Sequence, residues 1–160
     1  MKNVLLSHLY RLAYPLARFY WRLRAPVKIG VRVVVLDENG RVLLVRHAYG
    51  SEGWAFPGGG PGRHEPLADT AVREVREETG IDCRVERLLG VYDSFVEGKS
   101  DHVALFVCRA AASQQPAATS AEIVAADFFA QDALPAEASS GTRRRLAELA
   151  QGRTGVWGVW

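Results

Sequence analysis

The sequence predicts an α+β domain, and three observations predict it. Runs rich in β-branched residues recur from Lys28 to Phe129, two later stretches read as helices, and glycine or proline marks the joints between them. At 160 residues the chain is the size of one domain, and its 48% hydrophobic content suffices for one core. No internal repeat or interdomain linker is visible.

The first 25 residues stand apart. Leu5, Leu9, Leu12, Leu16 and Phe19 form one stripe of an amphipathic helix, which Pro15 should kink. Lys2, Arg11, Arg18, Arg22 and Arg24 lie there with no acid, so residues 1–25 read as a basic helical extension and 26–160 as the main domain. Such a helix packs on its own domain or on a second copy in a homodimer. A basic helix of this kind also suits weak contact with an anionic membrane surface. The remainder carries 15 basic against 18 acidic residues, and the net charge of +2 gives no reason to expect DNA binding. Cys83 and Cys108 sit in strand-like runs, which argues against a disulfide framework or a cysteine metal site and for a reduced, cytoplasmic protein. His8, Arg11, Pro15 and Arg18 interrupt every apolar run that a signal peptide would need.

From Lys28 the pattern becomes extended. Val31, Val33, Val34, Val35 and Leu36 lead to Asp37-Glu38-Asn39-Gly40 and then to Val42, Leu43, Leu44 and Val45, a hairpin signal centred on Asn-Gly. Trp54-Ala55-Phe56 precedes Pro57-Gly58-Gly59-Gly60-Pro61-Gly62, which is a loop. Pro66 suits the first turn of a helix over Leu67 to Thr79, and Gly80 its C-terminal cap. Strands follow at Cys83 to Phe95, His102 to Arg109 and Ile123 to Phe129. A second helix covers Arg143 to Ala150 after the capping candidates Ser139, Ser140 and Thr142. The apolar tail Val156-Trp157-Gly158-Val159-Trp160 should pack on the domain or on a neighbouring subunit.

The first of these helices carries the chemistry. At about 100° per residue, with Glu74 at 0°, Glu77 falls near 300° and Glu78 near 40°, so three carboxylates share one face. Ala68, Ala71, Val72 and Val75 form the core-facing side. The acidic face stabilises nothing by itself. Glu74 and Glu78 repel at i, i+4, and Glu77 and Glu78 meet the negative end of the helix dipole. Oxygen ligands on one face suit Mg²⁺ or Mn²⁺. The alternative is a solvated charge run paired with Arg73 and Arg76. The upstream glycines leave backbone groups free to approach a ligand.

Gly59, five residues, Glu65, seven residues, Arg73-Glu74-Val75-Arg76-Glu77-Glu78, one residue, and Gly80-Ile81 fill every fixed position of a longer pattern. It resembles the Nudix box of the Nudix hydrolase (MutT-like) superfamily. The resemblance implies an α/β/α sandwich around a mixed sheet, to which the N-terminal helix is an addition. It implies Glu74, Glu77, Glu78 and the Gly59 carbonyl as metal ligands for Mg²⁺, with Mn²⁺ as a substitute. Glu65 and Arg73 match a pair that ties loop to helix. The general base varies between subfamilies and is either a helix glutamate or a later acid, among which Asp93, Glu97, Asp101 and Glu122 are candidates and Glu122 is preferred.

The activity implied is hydrolysis of a pyrophosphate bond in a nucleoside diphosphate linked to another moiety, with Glu77, Glu74 and Glu122 catalytic. The alternative is a non-catalytic Nudix-fold module that binds a nucleotide or a partner; such modules usually lose one or more box acids, and all are present here. Arg46 and His47 are candidates to contact phosphate or leaving group, and Tyr49, Phe56 and Gly58 complete the substrate-binding set. Trp54, Tyr92 and Phe95 are further aromatics for base stacking. Subfamily markers do not fix the substrate. The position where ADP-ribose enzymes commonly carry proline holds Val96 and Glu97, and that of the dinucleoside polyphosphate tyrosine holds Glu97, Gly98 and Lys99. Phe56-Pro57-Gly58-Gly59 is similar to the coenzyme A group, whose upstream arginine pattern is not filled.

Overall fold

Strand β1 (Val27–Leu36) buries side chains on both faces, and this decides the layering. Val31, Val33 and Val35 pack with Ala71 and Val75 of helix α1 (Leu67–Thr79). Val34 points the other way, into a cluster with Leu146 of helix α2 (Ser140–Ala150). A sheet covered by a helix on each face is an α/β/α sandwich, and its central strands read as unbroken apolar runs for that reason. This structure is a computed structural model and describes residues 27–48, 53–95 and 100–160. The expected N-terminal helix, Tyr49 and Glu97 lie outside the described residues.

The remaining strands are β2 (Val42–His47), β3 (Trp54–Ala55), β4 (Cys83–Ser94), β5 (Ser100–Ala110), β6 (Ile123–Phe129) and β7 (Val156–Val159). Their order is β3-β2-β1-β5-β4-β7, with β6 also paired to β2. The sheet is mixed: β1 runs parallel to β5 and β4 parallel to β7, and the other pairings are antiparallel.

The Asn39-Gly40 turn forms as expected. Asp37 Oδ1 accepts from the Asn39 and Arg41 amides, and Gly40 takes the left-handed φ of 75°. The hairpin itself is shorter than the sequence suggests, because β1 and β2 pair only at Leu36 and Val42. Beyond that point the glycine-rich loop lies beside β1. The Val31 amide donates to the Gly59 carbonyl at 2.8 Å and the Val33 amide to Pro57 at 3.0 Å. That substitution of loop for strand brings the loop against the sheet and positions the site.

Helix α1 has the bounds the sequence predicts. Gly80 caps it at φ 71° and donates its amide to Arg76. Pro66 stands at the N-cap, one residue ahead of the first turn. Helix α2 begins at Ser140, earlier than expected, because the Ser139 hydroxyl caps it by accepting from the Thr142 amide. The apolar tail packs on the domain as β7, and the Trp160 ring meets Tyr92 edge to face at 5.6 Å. Cys83 and Cys108 are both free.

Candidate active site

Two segments distant in sequence meet at the loop that flanks β1. Gly58 lies at φ 144°, and a Cβ there would fall 2.3 Å from the Val31 carbonyl oxygen. A Cβ on Gly59 would meet the Glu74 carboxylate at 2.6 to 2.7 Å. Glycine is required at both positions so that backbone can approach strand and acid together. The Gly58 amide then donates to Glu78 Oε2 at 3.0 Å.

The loop is fastened to α1 by Arg73. Its Nε donates to Glu65 Oε1 at 2.7 Å and its Nη2 to Glu65 Oε2 at 2.9 Å, a two-pronged pairing of the kind only a guanidinium makes. Nη2 also donates to the Gly60 carbonyl at 3.1 Å. Glu65 further accepts from the Gly62 amide and the Thr70 hydroxyl. Hydrogen bonds from Arg73 and Gly62 hold the Glu65 carboxyl below the usual carboxylate range, at about 2. Bonding to Glu65, and then to Glu74, raises the Arg73 pKa.

The three helix acids differ in setting. Glu77 is 59% exposed and accepts from Arg73 Nη1 at 2.9 Å. Glu74 is largely buried and lies 2.8 Å from the same nitrogen. Glu78 is 6% exposed. Burial pushes its carboxyl up to about 7, against the Gly58 amide and Arg32, and the like charges of Glu74 and Glu122 push it further. Among the described residues, no three acidic, histidine or cysteine side chains converge on a metal position as they stand. Arg73 Nη1 occupies the space between Glu74 and Glu77 instead. The all-oxygen donor set still fits a hard divalent cation.

Glu122 joins this group from outside the helix. Its carbonyl accepts from the Ala48 amide at 2.8 Å, which fixes it beside the end of β2. There its charge acts on both Glu78 and His47. The His47 pKa is lowered by burial and by Arg32, with Glu122 opposing, and its Nε2 is buried without a hydrogen-bond partner. Of the other acids proposed as base, Asp93 Oδ1 lies 2.9 Å from His102 Nδ1, and Asp101 lines a cavity beside β1 that Gly59 and Gly60 also line.

Several expected substrate contacts are placed differently. Phe56 is fully buried in the α2-side core, so its ring belongs to the packing, and its carbonyl accepts from Arg32. Both backbone groups of Gly58 are committed, the amide to Glu78 and the carbonyl to Arg32. The Gly59 carbonyl already accepts from Val31, which leaves one lone pair for a ligand. The Arg46 guanidinium lies over the Trp54 ring at 5.8 Å. Tyr92 is buried and donates its hydroxyl to Glu148, whereas Phe95 is exposed.

Sequence reasoning missed Arg32. Its Nη1 donates to the Phe56 carbonyl at 3.2 Å and to Gly58 at 3.1 Å, joining β1 to the loop from beneath. Burial acts against its charge, while Glu78 and Glu74 support it. The available signal was a charged residue between two valines in the apolar half of β1.

The NUDIX domain family model matches residues 26–149. The chain belongs to the NUDIX family. It is 41% identical over 88 residues to a nucleoside diphosphate-linked moiety X motif 6 protein of Xenopus laevis, covering 51% of this chain and 40% of that one. It is 35% identical over 104 residues to a MutT-like protein of Streptomyces ambofaciens, covering 65% and 64%. The chain thus spans less than two thirds of either relative. Among solved structures, a MutT NUDIX hydrolase from Burkholderia pseudomallei superposes with a TM-score of 0.66 at 27% identity, over 78% of this chain and 98% of that one. The family's fold is the α/β/α arrangement built here from β1 outward.

Proposed function

We propose that this chain is a Mg²⁺-dependent hydrolase, able to use Mn²⁺, that cleaves a pyrophosphate bond in a nucleoside diphosphate linked to another moiety. One observation carries the reading. Glu74, Glu77 and Glu78 share one face of α1, against a loop whose backbone is hydrogen-bonded to Glu78 and Arg73 of the same helix, so carboxylate oxygens and the Gly59 carbonyl are gathered at one place. The names of the frog and bacterial relatives agree with it.

Glu74, Glu77 and Glu78, with the Gly59 carbonyl, would hold the ion. When bound, it neutralises charge developing on the phosphoryl oxygens and makes the attacking water more acidic. The Glu122 carboxylate accepts the proton of that water as it attacks phosphorus and the bond to the bridging oxygen breaks. His47, whose pKa burial and Arg32 lower, offers Nε2 to a phosphate oxygen or the leaving group, and Arg46 adds a positive charge at the same strand end. Glu65 acts through Arg73 to keep the Gly60 carbonyl and the loop in register with the acids. The basic residues 1–25 pack on their own domain or on a second copy, or touch an anionic membrane surface; deleting residues 1–24 should abolish membrane association and leave hydrolysis intact in the last case, whereas an insoluble product assigns the helix to the fold.

The test is product release from nucleoside triphosphates, sugar nucleotides, ADP-ribose, dinucleoside polyphosphates, coenzyme A and 5′-triphosphate RNA, with Mg²⁺ and with chelator. Hydrolysis of any member that chelator abolishes is the expected result. Binding of a member without turnover under both conditions would replace the hydrolase reading with that of a binding module.

A further inference from the structure

Helix α1 fills only part of its layer. On β1 it packs with Val31, Val33 and Val35, while Val27 and Ile29, which alternate onto the same face, stay exposed, Val27 by 67%. Register extends this open face across the sheet. Ile29 pairs with His102 of β5 and His102 with Asp93 of β4, whose partner on β7 is Val159. One row further, Val31, Ala104, Val91 and Trp157 lie side by side. Ala104 belongs to the α1-side core, so Val91, Trp157 and Val159 point to that side too. Trp157 is 85% and Val159 64% exposed, and Leu88, paired with the α1-side Phe106, is exposed beside them. Val156 and Trp160, which alternate with these tail residues, are packed in the α2-side core.

Single exposed apolar residues need no explanation, but a contiguous apolar face over four adjacent strands does. Among the described residues nothing covers it. The segment nearest by connectivity is the start of the chain itself. Strand β1 begins at Val27, inside the face, and residues 20–26 separate it from Phe19. That link reaches about 23 Å when extended, whereas the face is about 14 Å wide, or three strand spacings. A helix over residues 5–19 would be about 22 Å long and would cross all four strands. Leu5, Leu9, Leu12, Leu16 and Phe19 give it one apolar stripe. Its charges are complementary as well: Lys2, Arg11, Arg18, Arg22 and Arg24 stand without an acid, the remainder carries 15 basic against 18 acidic residues, and the half-exposed Asp93 lies within the face. So short a tether holds the segment at an effective concentration of about millimolar, which favours its own face over a second copy or a membrane.

We propose that residues 5–19 dock on this face as a second helix of the α1 layer, with their leucine stripe and Phe19 against Val27, Ile29, Val91, Trp157 and Val159. The segment thereby completes the sandwich where α1 leaves it open, and its basic flanks meet solvent and Asp93. The assignment is independent of the hydrolase reading, because the apolar residues on both sides of the contact lie outside the acidic site.

Methyl NOE spectroscopy on the full chain, with isotope-labelled and unlabelled protein mixed in equal parts, tests the contact. NOEs from the Ile29 and Val159 methyls to leucine methyls of residues 5–19 within one labelled chain are the expected result. Leu9→Asp combined with Leu12→Asp should abolish them and shift the Ile29, Val91 and Val159 methyl signals, while the Val34 signals on the opposite face of the sheet stay in place. Should that variant misfold, the wild-type NOEs decide alone. NOEs found only between labelled and unlabelled chains would give the face to a second copy and overturn the proposal. Unmoved Ile29, Val91 and Val159 signals in the folded variant would overturn it as well. So would the absence of any such NOE in the wild type; loss of the Ile29 and Val159 signals on adding phosphatidylcholine–phosphatidylglycerol vesicles would then assign the face to a membrane.

Discussion

At the residue scale, Glu78 is the side chain whose setting says most. A carboxyl titrating at about 7 keeps its proton in the folded, metal-free chain at pH values where the unfolded chain has already lost it. The folded state then binds more protons, so stability is present below the ordinary carboxylate pKa and is lost as pH rises toward 7. Glu78→Gln keeps an acceptor for the Gly58 amide but cannot ionise. Metal-free thermal unfolding should therefore show the variant gaining on wild type between about pH 4.5 and 7, whereas hydrolysis falls by about a hundredfold or more. Glu65 predicts the opposite slope. Its carboxyl sits at about 2, so the stability it adds is present above the ordinary range and is lost as pH falls toward 2. The stability gap between wild type and Glu65→Gln should close over that acidic window in a series of melting curves.

Residue identity at this scale was partly legible. The spacing of Glu65 and Arg73 was visible because both belong to one short pattern, and their hydrogen bonds span only eight residues. Arg32 was not, because the carbonyls it holds lie 24 and 26 residues away and nothing in β1 announces them. Phe56 was read as a ligand contact from its place beside the glycines. Which way a loop-edge ring turns depends on the core beneath it, and here that core takes the ring completely.

At the element scale, α1 ends where its sequence says. Gly80 at φ 71° is a position that a Cβ-bearing residue enters only with strain. Gly80→Ala should cost about 1 kcal/mol in denaturant unfolding while leaving the metal face and its activity in place. The helix was legible because cap, apolar stripe and acidic face all lie within it. The hairpin was less so. Asn39-Gly40 fixes the turn, but the partner of β1 beyond Leu36 is decided by competition between β2 and the loop. Two backbone bonds to Gly59 and Pro57 settle that contest in favour of the loop.

At the scale of the whole molecule, the sheet is closed on its β4 side by a strand that the sequence marks only as an apolar tail. Its parallel pairing depends on a bare backbone at Gly90, where a Cβ would meet the Val156 carbonyl oxygen at 2.1 Å. Gly90→Ala should displace β7 and lower stability by about 2 kcal/mol or more in denaturant unfolding, with loss of the Trp160 contact to Tyr92. The layered architecture was legible only through the resemblance carried by the box, and the consecutive buried residues Val33, Val34 and Val35 of β1 agree with helices on both sides. The β7 position was not, because a parallel partner is chosen by long-range packing and has no local turn signal.

The central claim is that the acidic face of α1 holds the divalent ion on which hydrolysis depends. The most direct measurement is Mn²⁺ uptake by the full chain, followed by electron paramagnetic resonance in wild type and in Glu77→Gln. The account predicts that the variant binds Mn²⁺ about tenfold or more weakly and that hydrolysis in both proteins follows Mn²⁺ occupancy. Equal Mn²⁺ uptake by the two proteins, or hydrolysis that persists when no Mn²⁺ is bound, would contradict it.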